Sequence, residues 1–290
     1  MKLIAIDMDG TLLSHDLQIS ERNMNAIEQA QQEGNIVMIC SGRAKDDLSG
    51  LLQRYNLSLP LGTSNGAVVY VNDTLLQASY INKTIALQTA LHLEAEGFPY
   101  KVYTNQGIYV PTNWNENVMR TWQAAGSQSY NFTIEDLQKV TEQQLQANVI
   151  RSFDNISTLF SSDELQVEKF FILTLDDQVR TQLLEHLQTV EEIGITASAP
   201  TNLEVMNQNA HKGNGLRAMA KHFSIPMEHT VAIGDNFNDV PMMQAAGLSI
   251  AMGNAEQEVK DLCDAVTLSN EEHGVAHALE TYILQKTKQL

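Results

Sequence analysis

At both ends of this 290-residue chain, short apolar runs alternate with stretches of helical period, an order that few folds accept. Leu3–Ile6 and Ile36–Cys40 are the first two runs, rich in β-branched residues and free of charge. Between them Ser20 is placed to cap a helix that Gly34 ends, with Met24 and Ile27 on one face. After the second run, Leu48, Leu51, Leu52 and Tyr55 fall at i, i+3, i+4 and i+7, one stripe of a second helix. Strand, helix, strand, helix predicts a parallel sheet with right-handed crossovers. Runs without a polar interruption predict strands covered on both faces.

The pattern returns near the C-terminus. Thr230–Gly234 and Leu248–Met252 read as strands, Asp239–Ala246 and Glu256–Leu262 as helices, and His273–Gln289 as a closing helix. The middle differs. It holds both tryptophans, Trp114 and Trp122, and most of the other aromatic residues. A helix over Ile85–Glu96 stops at Gly97, Tyr100–Thr104 and Phe170–Leu175 read as strands, and Val179–Val190 as a helix. Asn105-Gln106-Gly107 marks a hairpin turn. The expected architecture is α/β: a doubly wound parallel-sheet core, residues 1–82 and 209–290, interrupted by a smaller α+β domain over 83–208. Trp114, Trp122 and the Phe170-Phe171 pair are expected to fill that small domain's core, with substrate stacking as the lesser alternative.

Charge excludes several roles. With 18 Lys+Arg against 35 Asp+Glu, the formal charge is −17, a surface that repels phosphate backbones and anionic lipid. No nucleic-acid or membrane partner is expected. Only two cysteines occur, Cys40 and Cys263, far apart and outside any CxxC, which argues against a disulfide scaffold or a cysteine-rich zinc site. No apolar stretch is long enough to span a bilayer, and Asp7 interrupts the N-terminal run too early for a signal peptide. A soluble, cytoplasmic protein is expected. Oligomeric state is left open.

In an open parallel sheet, ligands bind beyond the carboxyl ends of the strands. Three predicted strands run straight into polar residues there: Asp7-Met8-Asp9-Gly10-Thr11, Ser41-Gly42-Arg43, and Asp235-Asn236-Phe237-Asn238-Asp239. Lys212-Gly213 opens a helix nearby in the chain order. Carboxylates converging from separate strand ends repel one another, and a hard divalent cation relieves them. Oxygen ligands with retained waters suit Mg²⁺. A phosphoryl oxygen can complete such a shell, while a hydroxyl, an ammonium and backbone N–H groups hold the others. A carboxylate can also serve as nucleophile, and Asp9 sits two residues on from Asp7, within reach of a leaving oxygen. Taken singly these pieces are ordinary: a lone Asp-Gly is more often a turn and a lone lysine is solvated. All of them in order at strand ends point to phosphoryl transfer.

Asp7-Met-Asp-Gly-Thr-Leu12 after an apolar strand, Ser41-Gly-Arg43, Lys212-Gly213 and Gly234-Asp-Asn-Phe-Asn-Asp239 resemble the four motifs of the haloacid dehalogenase-like superfamily. Thr63-Ser-Asn-Gly-Ala67, Ala251-Met-Gly-Asn-Ala255 and the long insert resemble, more narrowly, Cof-type phosphatases. The resemblance implies a Rossmann-like core with a large inserted cap, and a Mg²⁺-dependent phosphatase of small phosphorylated metabolites acting through an aspartyl-phosphate. By the same resemblance Asp7 is nucleophile and metal ligand. Asp9 is general acid and then base, its backbone carbonyl also touching the metal. Ser41, Lys212 and Asn238, with the backbone of Met8 and Gly42, hold the phosphoryl group. Asp235 is a further metal ligand and Asp239 supports it. Arg43 contacts substrate or pairs with a nearby carboxylate, and His211 reads as a linker residue. His273-Gly274-Val275 departs from the family, which often has an acid before the Gly-Val. Met242 and Met243 read as helix core.

Two other readings compete. A phosphomutase or phosphotransferase would keep the first chemical step and pass the phosphoryl group to a sugar. A phospho-acceptor signalling domain also gathers acids, a hydroxyl and a lysine at strand ends, but lacks an acid at the place of Asp9 and a large insert.

Overall fold

The computed structural model describes residues 1–126, 133–135 and 149–284. The chain divides into two compact units, Met1–Ala78 with Ala210–Leu290, and Ser79–Asn209. The first begins with β1 (Leu3–Ile6), α1 (Glu21–Gln32), β2 (Ile36–Cys40), α2 (Lys45–Gln53), β3 (Leu61–Thr63), β4 (Val68–Val71) and β5 (Thr74–Ala78). Ser20 caps α1, its side chain accepting from Asn23 N at 3.2 Å. β4 and β5 form a hairpin whose turn residues, Asn72 and Asp73, both have left-handed backbone (φ 48° and 60°). That geometry matches the twist of two strands joined by two residues.

The inserted unit contains α3 (Lys83–Glu96), β6 (Tyr100–Thr104), β7 (Gly107–Pro111), α4 (Trp114–Ala125), β8 (Ile150–Phe153), a one-turn α5 (Ile156–Leu159), β9 (Val167–Leu173), α6 (Asp177–Leu187), β10 (Ile193–Thr196) and β11 (Asn202–Asn207). Its sheet runs β10-β11-β9-β6-β7-β8, antiparallel except for β7 with β8. Ala86, Ala90 and Leu93 of α3 and Leu183 and Leu187 of α6 pack with Tyr100, Val102, Phe170 and Ile172 from the sheet. Phe170 lies wholly in this core. Trp114 is buried beneath the Lys101 ammonium, which lies 5.2 Å from its ring centroid.

The chain then returns to the first unit with α7 (Lys212–His222), β12 (Thr230–Gly234), α8 (Val240–Ala245), β13 (Leu248–Ala251), α9 (Gln257–Lys260), β14 (Ala265–Val266) and α10 (Gly274–Tyr282). The part of the predicted closing helix beyond residue 284 lies outside the described residues. The eight strands are ordered β14-β13-β12-β1-β2-β3-β4-β5. All pairs from β14 to β3 are parallel, and β4 and β5 extend the sheet antiparallel. The sequence pattern predicts the parallel part but not the hairpin. Alternation along β1 explains the two layers of helices. Ile4 and Ile6 pack with Ile27 of α1, Leu48 of α2 and Leu279 of α10, while Leu3 and Ala5 pack with Leu216 and Met219 of α7 and Met242 and Met243 of α8. Burial on both faces is why β1 and β2 are apolar throughout.

Candidate active site

β1 lies at the centre of the sheet, and its chain leaves the carboxyl end at Asp7, whose N–H still donates to Ile233 O of β12 at 3.0 Å. The next residues fold into a tight turn over Met8–Leu12, closed by Leu13 N donating to Met8 O at 2.9 Å. Gly10 takes φ +77° in this turn, and a Cβ there would stand 2.5 Å from Asp235 Oδ2. Glycine is therefore the residue that lets the first turn and the β12 loop approach. Thr11 Oγ1 donates to Asp235 Oδ1 at 2.7 Å and fixes that carboxylate.

Lys212, the first residue of α7, has no exposed surface. Its Nζ donates to Asp7 Oδ1 and to Asp239 Oδ1, each at 2.5 Å. His211 is the N-cap of α7, with Asn214 N 3.3 Å from its Nδ1, so it anchors the helix that delivers the lysine. Beneath that N-terminus lies the end of β3. Ser64, Asn65 and Gly66 take φ 49°, 58° and 81° in succession, and a Cβ on Gly66 would fall 2.6 Å from His211 O. Three left-handed residues in a row turn the chain sharply enough to pass under the helix, and the last must be glycine.

The other oxygen of Asp239 accepts from Asp235 N at 2.9 Å and Asn236 N at 3.0 Å. With Lys212 on Oδ1, Asp239 is occupied as a bracket for the β12 loop. Asp7, Asp235 and Asp239 each place a carboxylate oxygen within 4.8 Å of the others. Burial raises the Asp7 carboxyl well above the ordinary range, with Asp239 and Asp235 adding to the rise against Lys212. Asp235 is pushed up to about 6, first by burial and then by Asp239. Lys212 goes the other way from most buried amines: desolvation lowers it, but Asp239 and Asp7 hold it well above its usual value. Such a set of hard oxygen donors, with more negative charge than one lysine neutralises, fits a small divalent cation.

Ser41 is buried at the end of β2, its hydroxyl accepting from Arg43 N at 3.2 Å. Gly42, half-buried, spans the turn between them. The Met8 side chain packs in the core, so its backbone is what that position offers the site. Asn238 donates through Nδ2 to Asn65 Oδ1 at 3.2 Å, while its own Oδ1 is buried without a hydrogen-bond partner among the described residues. Asp9 is set apart from the three clustered acids. Its side chain is 51 % exposed and grips Arg43, Nε to Oδ2 at 2.8 Å and Nη2 to Oδ1 at 2.7 Å. Of the two roles the sequence left open for Arg43, pairing with a carboxylate is the one present.

Two residues carry no local signal of their roles: Asn65 lies within Thr63–Ala67 and Asn254 within Ala251–Ala255, and both act on partners far along the chain. Asn254 Nδ2 donates to Gly10 O at 2.8 Å, and its Oδ1 accepts from Asn270 N at 3.0 Å. Cys40, buried beside Lys212 O, is raised to about 12, chiefly by desolvation, which makes it an inert packing residue.

A parallel sheet with acids, a hydroxyl and a buried lysine at its carboxyl ends defines a site of phosphoryl-transfer type. Residues 4–279 match the model of the haloacid dehalogenase-like hydrolases, and the chain belongs to that family, among its Cof-type phosphatases; it is a phosphoric monoester hydrolase. It is 34 % identical to phosphatase YwpJ of Bacillus subtilis over 285 residues, covering 97 % of this chain and 99 % of that one. It is 30 % identical to the 5-amino-6-(5-phospho-D-ribitylamino)uracil phosphatase YcsE of the same organism, covering 98 % and 96 %. Among solved structures it is similar to a haloacid dehalogenase-like hydrolase from B. subtilis, with TM-score 0.85, 33 % identity and coverage of 98 % and 100 %.

Proposed function

We propose that the protein is a Mg²⁺-dependent phosphatase of small phosphorylated metabolites, with Asp7 as nucleophile. The observation that carries this reading is the meeting of Asp7, Asp235 and Asp239 around Lys212 at the ends of two adjacent strands. Asp7 and Asp235 would hold the cation, with the backbone carbonyl of Asp9 and with Asp239 behind them. When bound, Mg²⁺ supplies positive charge against both the acids and the phosphoryl oxygens.

Asp7 Oδ attacks phosphorus, the bond to the leaving oxygen breaks, and Asp9 delivers a proton to that oxygen. Asp9 then takes a proton from water, which attacks the aspartyl-phosphate and releases inorganic phosphate. Ser41, Lys212, Asn238 and the backbone of Met8 and Gly42 hold the three peripheral oxygens in place. The inserted unit selects the substrate. A ribityl phosphate of the kind named for YcsE is the first candidate, ahead of sugar and pyridoxal phosphates, given how fully the two chains align.

The test is release of inorganic phosphate from a panel of phosphorylated metabolites, with and without excess chelator. Mg²⁺-dependent release from at least one member, with radiolabelled phosphate trapped on wild-type protein but not on Asp7→Asn, is the expected result. Release that chelator leaves intact, or label retained by Asp7→Asn, overturns the reading. Transfer of label to an added sugar with little free phosphate would favour a phosphotransferase.

A further inference from the structure

The fork between Arg43 and Asp9 sits oddly with an Asp9 that must move protons. Both carboxylate oxygens accept from the guanidinium, at 2.8 and 2.7 Å, in the side-by-side geometry that planar guanidinium and carboxylate groups favour. The fork occupies the inner, more basic lone pair of each Asp9 oxygen and leaves only the outer pairs free. Opening the fork frees the positions from which Asp9 best carries a proton.

Three features say what opens it. First, the backbone of Arg43 is pinned on both sides, its N–H donating to Ser41 Oγ at 3.2 Å and its carbonyl accepting from Ser64 N at 2.9 Å, so only its side chain is free to turn. Second, the guanidinium already has another partner. Nη1 lies 3.2 Å from Asp47 Oδ2, one helical turn on, which leaves a cation anchored when Asp9 departs. Third, the Asp9 side chain is 51 % exposed, so the pair is open to an arriving ligand rather than sealed in the core. A phosphate monoester dianion presents the same spacing of oxygens as a carboxylate and more charge, so it competes for the same fork.

We propose that Arg43 is a positioning residue that holds Asp9 at rest and passes its fork to the substrate's phosphoryl group, freeing Asp9 only when substrate is bound. The proposal rests on the reading of Asp9 as the proton carrier. No bond to phosphorus is made or broken in this exchange; one ion pair replaces another. Once released, the half-exposed Asp9 carboxylate takes up a proton from solvent and then gives it to the leaving oxygen, so proton delivery is kept in step with occupancy, and an empty site holds the carboxylate paired.

The test compares 4-nitrophenyl phosphate, whose leaving group departs with little help, with phenyl phosphate, whose leaving group needs a proton. Wild type, Arg43→Ala, Arg43→Lys and Asp9→Asn are assayed with Mg²⁺. For Arg43→Ala, KM for both substrates and the inhibition constant for inorganic phosphate rise about 10- to 100-fold, the scale of a lost charge-assisted hydrogen bond. The ratio of the two kcat values stays within about twofold of wild type, because Asp9 is free, whereas Asp9→Asn shifts that ratio strongly toward the nitrophenyl ester. Arg43→Lys, which keeps charge but cannot fork, falls between, and added guanidinium ion lowers the KM of Arg43→Ala. An unchanged KM in Arg43→Ala and Arg43→Lys overturns the transfer of the fork. A kcat ratio in Arg43→Ala that follows Asp9→Asn shows instead that Arg43 orients Asp9 throughout, and likewise overturns it. Wild type that hydrolyses neither ester defeats the reading of the site itself.

Discussion

Lys212 Nζ lies 2.5 Å from Asp7 Oδ1, the two residues being 205 positions apart in sequence and both almost wholly buried. That contact, with its twin to Asp239, supplies the positive charge that lets two acids share the floor of the site. Replacing Lys212 with Met leaves both carboxylates uncompensated. Unfolding by urea without metal is expected to show a loss of about 3–5 kcal/mol, the scale for breaking a buried pair from one side. A loss under about 1 kcal/mol would mean that the acids find compensation elsewhere.

Asp7→Asn separates stability from activity. The Asp7 carboxyl is raised by burial and by Asp239, so a neutral amide of the same shape removes a strained charge while Lys212 keeps Asp239. The metal-free variant is expected to melt at or above the wild-type temperature at pH 7 and to release no phosphate. A large drop in melting temperature would contradict the direction of the Asp7 shift.

Asp9→Asn is expected to slow turnover by about 10²–10⁴, the usual range for a lost acid–base group. Its melting temperature should change little, because the Asp9 side chain is half exposed and its pairing with Arg43 is open to solvent. Steady-state rates and a thermal melt on the same preparation check both parts.

Stability against pH reports on Asp235. Its folded value is raised to about 6 from 3.8, so the metal-free native state binds more protons than the unfolded chain across that interval. Its contribution is present in full below pH 3.8 and is lost as pH rises to about 6. Mg²⁺ competes with those protons. The rise in melting temperature on adding Mg²⁺ should be large at pH 7.5 and small at pH 5; equal shifts at both would remove Asp235 from the metal site.

Gly66→Ala probes the turn under α7. A methyl group there meets His211 O and also strains a φ of +81°. The expected cost is about 1–3 kcal/mol with a lowered kcat, since the strain is relieved by shifting the helix start that carries Lys212. A variant of wild-type stability would show that this turn is slack.

The four strand-end motifs were legible because each is local: an apolar run decides where a strand stops, and the polar residues follow within a few positions. The helical layers were legible for the same reason, through Ile27 of α1 and Leu48 of α2. Contacts between remote segments were not. The Arg43–Asp9 fork joins residues 34 apart, Asn65–Asn238 173 apart and Asn254–Gly10 244 apart, and no spacing rule announces such partners. The β4–β5 hairpin does have a local signal, Asn72-Asp73 between two strand-like runs. In the insert, the strand predicted over Phe170–Leu175 is Val167–Leu173, and the helix predicted over Val179–Val190 is Asp177–Leu187. There the Asp176 side chain accepts from Val179 N, a cap that sets the earlier start.

The neighbour of β1 on one side is β12, which joins the chain more than 220 residues later. During synthesis, then, the strand that bears Asp7 leaves the ribosome with one edge unpaired, and it stays so until Thr230–Gly234 emerges. Nascent chains stalled before that point carry Asp7, the nucleophile proposed above, but neither Lys212 in place nor Asp235, so the acid cluster assembles late and all at once. Their open apolar edge makes them clients for chaperones and candidates for aggregation.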